Sequence, residues 1–125
     1  MDVVTNKIYN VVLVCGGRNY KNQTKVHEVL DSIDPYPFLI IQGGARGADS
    51  FAKDWAEMNY VQSLTVPANW PKHGKSAGIL RNFEMMLWKP NIVIAFPGGK
   101  GTAHMVSLAK KDPDCLLIEV FDETV

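Results

Sequence analysis

The chain predicts an α/β fold, a doubly wound three-layer sandwich around a five-stranded, mainly parallel sheet, and three observations carry that expectation. Short apolar runs alternate with amphipathic segments from one end of residues 1–125 to the other. The runs are dense in Val, Ile and Leu, the composition of strands buried on both faces. Glycine-rich turns follow three of them: Cys15-Gly16-Gly17-Arg18, Gln42-Gly43-Gly44-Ala45-Arg46-Gly47 and Phe96-Pro97-Gly98-Gly99-Lys100-Gly101-Thr102. Alternation of this kind builds right-handed crossovers within one open sheet.

Ile8 to Cys15 is the first strand. Val26, Val29, Leu30 and Ile33 are spaced as one helical face over Lys25 to Ile33, and Asp34-Pro35-Tyr36-Pro37 ends that helix. Phe38 to Gln42 is the second strand. A helix follows in which Ala48, Phe51, Ala52, Trp55, Ala56 and Met58 form the apolar face, with Asp49 and Ser50 at the end where acidic and hydroxyl residues suit the helix dipole. Tyr60 to Val66 is the third strand. The stretch Pro67 to Lys75 is too rich in Pro and Gly for regular structure and is a candidate functional loop. Ser76 to Trp88 is a helix stopped by Lys89-Pro90, Ile92 to Phe96 the fourth strand, Thr102 to Lys111 a helix and Cys115 to Phe121 the last strand. Trp55, Trp88, Met85 and Met86 are assigned to packing.

At 125 residues the chain fits a single domain, large enough to bury about two thirds of the surface its unfolded form exposes. Lys plus Arg and Asp plus Glu are 13 each, so the formal net charge is zero. No global basic field and no basic stripe are present to drive nucleic-acid binding, and any anion site must be local. The first seven residues lack the basic start and apolar core of a signal peptide, and no apolar run is long enough to cross a membrane. A soluble cytoplasmic protein is expected. Cys15 and Cys115 fall at opposite edges of a parallel sheet, so reduced thiols are expected. With His27, His73 and His104 on separate elements, neither a metal site nor a cofactor is expected.

In a parallel sheet the glycine turns emerge together at the carboxyl ends of the strands. There the residues 16, 17, 43, 44, 47, 98, 99 and 101, with Ala45, Pro97 and Thr102 in the same turns, are expected to bring backbone N–H groups to an anion. The Gly98 to Thr102 segment lacks the spacer and the Gly-Lys-Ser/Thr ending of a P-loop, which disfavours a magnesium-dependent triphosphatase. Arg18, Arg46 and Arg81 fall near strand ends and helix starts, where guanidinium groups clamp phosphate oxygens. Trp70, in the Pro-rich loop, is positioned to line a pocket or stack on a base. The candidate carboxylates are Asp49, either a helix cap or a reactive group, and Glu84, within i, i+3 reach of Arg81 and so able to orient it or act as a base. His104 is expected on a polar helix face.

The segments Cys15-Gly-Gly-Arg-Asn-Tyr20, Gln42-Gly-Gly-Ala-Arg-Gly-Ala-Asp49, Pro67-Ala-Asn-Trp70, Gly74-Lys-Ser-Ala-Gly78 with Arg81-Asn82, and Phe96-Pro-Gly-Gly-Lys-Gly-Thr102 closely resemble the YspA branch of the cpYpsA-related SLOG family, in order and over nearly the whole chain. The resemblance implies a Rossmann-like fold and a nucleotide or nucleotide-derived ligand. Related groups are DNA-processing protein A and the Lonely Guy phosphoribohydrolases, and small standalone members occur in bacteria and bacteriophages. Self-association as a homodimer or higher homo-oligomer is common among such relatives, and apolar residues on the Ser76 to Trp88 helix offer a face for it. Lonely Guy enzymes cleave the N-glycosidic bond of nucleoside 5′-monophosphates with an Arg-Lys pair and a Pro-Gly-Gly-x-Gly-Thr-x-x-Glu segment. Arg81-Asn82 resembles the first element. Pro97 to Thr102 matches the second, but Met105 stands where the glutamate is expected. An oxocarbenium-like transition state needs a carboxylate, so turnover here would fall to Asp49 or Glu84. Binding of a nucleotide is the leading expectation, and nucleoside monophosphate hydrolysis the alternative.

Overall fold

The computed structural model describes residues 10–122. Five strands, β1 (Asn10–Cys15), β2 (Pro37–Gln42), β3 (Gln62–Thr65), β4 (Ile92–Ala95) and β5 (Leu116–Glu119), form one sheet in the order β3-β2-β1-β4-β5. Every pairing is parallel, so the sheet is wholly rather than mainly parallel. Of the first expected strand, residues 8 and 9 lie outside the described residues. The helices are α1 (Gln23–Asp31), α2 (Ala48–Met58), α3 (Trp70–His73), α4 (Ala77–Met86) and α5 (Lys100–Lys110).

Alternate residues of the central strands divide the core into two layers. Val12, Val14, Ile40, Ile92 and Ile94 pack with Val26 and Leu30 of α1 and with Ala52 and Trp55 of α2. Leu13, Cys15, Ile41, Val93 and Ala95 face the other way, onto Met85 of α4 and Met105 and Ala109 of α5. This is the sandwich that period-two strands buried on both faces require. Trp55 is fully buried, and its indole Nε1 donates to Asp31 Oδ1 at 2.9 Å, joining α2 to α1.

Several boundaries differ from the sequence expectation for local reasons. The first helix begins two residues early because the Asn22 side chain caps it, accepting from the Lys25 amide at 3.0 Å. The third strand begins late because Tyr60 takes a left-handed conformation (φ 58°) in the turn after α2. The Pro67 to Lys75 stretch is not irregular throughout. Asn69 accepts from the Lys72 amide and caps the short α3, which accommodates Pro71 in its first turn, and Gly74–Ser76 add a 3₁₀ turn. Trp88 is not core. The fourth helix ends at Met86, Lys89 turns the chain with φ 54°, and the indole is 55% exposed. Met86 is partly buried and packs against the core, as expected. No helix among the described residues is long and apolar enough to cross a membrane.

Candidate functional site

The strand order reverses between β1 and β4, and the loops leaving their carboxyl ends line a cleft of about 660 Å³. Such a switch point is where open α/β sheets bind ligands. The floor is Val14 and Cys15, and the walls are Gly16 to Tyr20 of the first loop and Pro97 to Gly99, Gly101 and Thr102 of the third. Ala45 and Asp49 close one end, and Trp70, Gly78, Arg81, Asn82 and Met85 contribute from α3 and α4.

The first and third loops are locked together, since the Gly17 amide donates to the Pro97 carbonyl at 2.9 Å. A Cβ on Gly98 would come within 2.6 Å of the Gly17 nitrogen, so the close approach itself requires glycine there. Gly101, in the first turn of α5, is different: a Cβ there would meet nothing within 4 Å. No side chain caps α5. The amides of Lys100, Gly101 and Thr102 therefore lie at a helix amino terminus without intrahelical partners, and Gly101 and Thr102 line the cleft.

The second glycine turn is filled from within. The Asp49 carboxylate Oδ2 accepts from the Gly43 and Ala45 amides, each at 3.2 Å. Gly43 backs onto the Arg81 guanidinium and Gly47 onto the Gly17–Arg18 backbone. Gly43, Gly44, Arg46 and Gly47 do not line the cleft. The second turn is thus closed by its own acid, while the first and third loops line the cleft. Asp49 is 6% exposed, and burial raises its pKa from 3.8 to about 6 against the opposing effects of the Ala45 amide, the Arg81 charge and the Gly43 amide.

Arg81 is held by neutral acceptors. Its Nη1 donates to the Gly43 carbonyl at 3.1 Å and its Nε to Asn82 Oδ1 at 3.1 Å. Among the described residues no carboxylate is hydrogen-bonded to it, although the Asp49 charge acts on it through space, and its Nη2 makes no hydrogen bond. Glu84 does not orient it: that side chain is exposed and lies outside the cleft. Asn82, 3% exposed, does so instead, and its Nδ2 also reaches the Gly101 carbonyl and His104 Nδ1, both at 3.1 Å. His104 is accordingly half-buried between α4 and α5, edge-on to Phe83, rather than on a free polar face. Arg18 reaches the cleft rim exposed.

Two further groups limit the chemistry. Burial, reinforced by the charge of Asp49 and opposed by that of Arg81, pushes the Cys15 thiol up to about 12, so it is no nucleophile at neutral pH. Met105 is fully buried among Leu13, Cys15 and Met85, and a thioether fills the place where the resemblance leads one to expect a carboxylate. Sequence reasoning missed Val14, Cys15, Asn19, Tyr20, Gly78 and Met85 as lining residues. Gly78 had a signal: a glycine inside an apolar helix marks close approach, and the Trp70 ring lies 3.6 Å from where its Cβ would stand.

The family described as YspA, cpYpsA-related SLOG matches residues 10–73, the span from β1 through both of the first glycine turns to α3. The gene 61 protein of Mycobacterium phage D29 is 39% identical over 110 residues, covering 80% of this chain and 88% of its own length. A parallel sheet with its cleft at the switch point, a matching family profile over half the chain and a phage relative along most of it place this protein in the YspA, cpYpsA-related SLOG family.

Proposed function

We propose that this protein binds a nucleotide or nucleotide-derived ligand in the β1/β4 cleft. Family membership supports a nucleotide-related role. The observation that carries the reading is Arg81, a half-buried guanidinium fixed by two neutral oxygens, with Asp49 acting on it through space but hydrogen-bonded to loop amides instead, in the same cleft as the amino terminus of α5. A fixed cation beside free amides suits a phosphate. In this reading phosphate oxygens take the α5 amides, Thr102 and Arg81 Nη2, with Arg18 at the rim and the exposed Trp70 ring against the base. Each charge-assisted hydrogen bond contributes about 1.5–3 kcal/mol. Arg81→Ala is expected to weaken nucleotide binding about 10- to 150-fold. Titration calorimetry showing unchanged affinity would remove the assignment of this cleft.

The alternative is hydrolysis of the N-glycosidic bond of a nucleoside 5′-monophosphate. One observation favours it: Asp49 is the carboxylate that lines the cleft. With Met105 in the core, Asp49 would have to stabilise the oxocarbenium charge, although one of its oxygens already serves two amides. Phosphorus NMR of a nucleotide panel with the protein separates the readings. Shifted or broadened ligand signals without new peaks mean binding; growth of a ribose 5-phosphate signal means turnover.

We further propose that the protein acts in the cytoplasm, without a cofactor or a nucleic-acid partner, and self-associates. Leu80, Phe83, Leu87 and Trp88 are all exposed along and just beyond α4. Light scattering across a concentration series, with Phe83→Ser as the disrupting variant, tests the assembly.

A further inference from the structure

A second cavity of about 430 Å³ adjoins the cleft, and Arg81 is the residue common to the lining of both. The main cleft alone is already of a size that holds a small ligand, within the usual ~300–1,000 Å³. The second cavity differs in chemistry. It has no glycine turn, and it sets Lys72 and His73 against Glu84, with Asn69 and the Leu80 side chain beside them. Lysine supplies only donors and an ionised carboxylate only acceptors. A second phosphate here would face the Glu84 charge, whereas vicinal hydroxyls would donate to that carboxylate and accept from the lysine. Arg81 stands at the junction with Nη2 unengaged, where a linking diphosphate needs a cation.

We propose that the second cavity is a subsite for a hydroxyl-rich group carried on the terminal phosphate of a nucleoside diphosphate. The nucleoside occupies the main cleft, the diphosphate passes Arg81, and Glu84 accepts hydrogen bonds from the sugar hydroxyls. This rests on the nucleotide reading above and assigns Glu84 to ligand selection instead of orientation of Arg81.

The test is calorimetry of the full chain with ADP against ADP-ribose and UDP against UDP-glucose. The sugar-bearing diphosphate is expected to bind about tenfold tighter than the plain diphosphate of the same base, and Glu84→Ala to bring that ratio to about one. Glu84 is exposed, so the variant keeps its fold, and an unchanged melting temperature verifies this. Plain diphosphates that bind as well as their sugar-bearing partners, or a ratio that survives Glu84→Ala, overturn the subsite and leave the nucleotide reading standing. Failure of every nucleotide to bind overturns that reading, and the subsite with it.

Discussion

Replacing Asp49 by asparagine separates what the fold needs from what the cleft needs. Burial raises the Asp49 pKa to about 6 from 3.8, even with two amides and the Arg81 charge acting in the opposite direction. At 1.36 kcal/mol for each pKa unit this corresponds to about 3 kcal/mol. A carboxyl whose pKa is higher in the folded than in the unfolded chain binds its proton more tightly when folded. Its contribution to stability is therefore most favourable below pH 4, declines as pH rises, and reaches the full penalty above about pH 6. Asparagine keeps an acceptor for the Gly43 and Ala45 amides and carries no charge to desolvate, but accepts more weakly. Asp49→Asn should thus gain about 1–3 kcal/mol at pH 7.5, with little gain at pH 4. Urea denaturation at both pH values reads this as a rise in midpoint confined to the higher pH. A midpoint lowered at pH 7.5 would show that the charged amide contacts outweigh desolvation, and would refute the reasoning. The same substitution removes a negative charge near Arg81, so the proposed nucleotide should bind tighter, as it should to the unmodified protein when pH falls through about 6. If the protein is instead a hydrolase, turnover should vanish while binding improves.

Gly98→Ala brings a methyl within 2.6 Å of the Gly17 nitrogen and should destabilise the fold, whereas Gly101→Ala meets nothing within 4 Å. The second variant should retain or gain stability, by up to about 1 kcal/mol, yet lose ligand affinity. Thermal melts paired with calorimetry test both, and a Gly101→Ala protein that binds normally would show that nothing approaches α5 there. Trp55→Ala should lose about 3–5 kcal/mol by opening the α1/α2 layer, while Trp88→Ala should stay within about 0.5 kcal/mol of the parent. Met105→Glu, which restores the carboxylate of the Lonely Guy segment, should lose about 3–5 kcal/mol because the charge lands unpaired in the core; a stable variant with new hydrolase activity would contradict the packing argument.

Strand number, strand direction and the edge of the sheet that carries the cleft were legible because each depends on local pattern: apolar runs buried on both faces and the turns after them. What was not legible depends on pairs distant in sequence. Nothing local says that the Pro97 carbonyl takes the Gly17 amide, or that the Gly43 carbonyl, 38 residues away, anchors Arg81. The exposure of Trp88 turned on where α4 stops, and helix ends are poorly fixed by periodicity. The filling of the second turn by Asp49 was closer to hand. A carboxylate five residues after a glycine pair, at the start of a helix, satisfies loop amides as readily as it caps.

Stability alone does not account for three residues of this cleft. A neutral amide at position 49 would avoid the desolvation of a buried acid, and alanine at 101 would improve the first turn of α5 with no steric consequence. A guanidinium held by a carbonyl and an amide oxygen, with the Asp49 charge nearby but committed to loop amides, would be better compensated by a carboxylate bonded to it directly. Any one of these departures has an ordinary explanation, but they line a single cleft at the switch point of the sheet. Local choices that oppose stability gather where something other than stability is being served. Under the proposed reading the partner served is an anion, met by a guanidinium that no carboxylate bonds directly and by the amides at the start of α5. That inference needs neither the three-loop cradle expected from the glycines nor the carboxylate displaced by Met105.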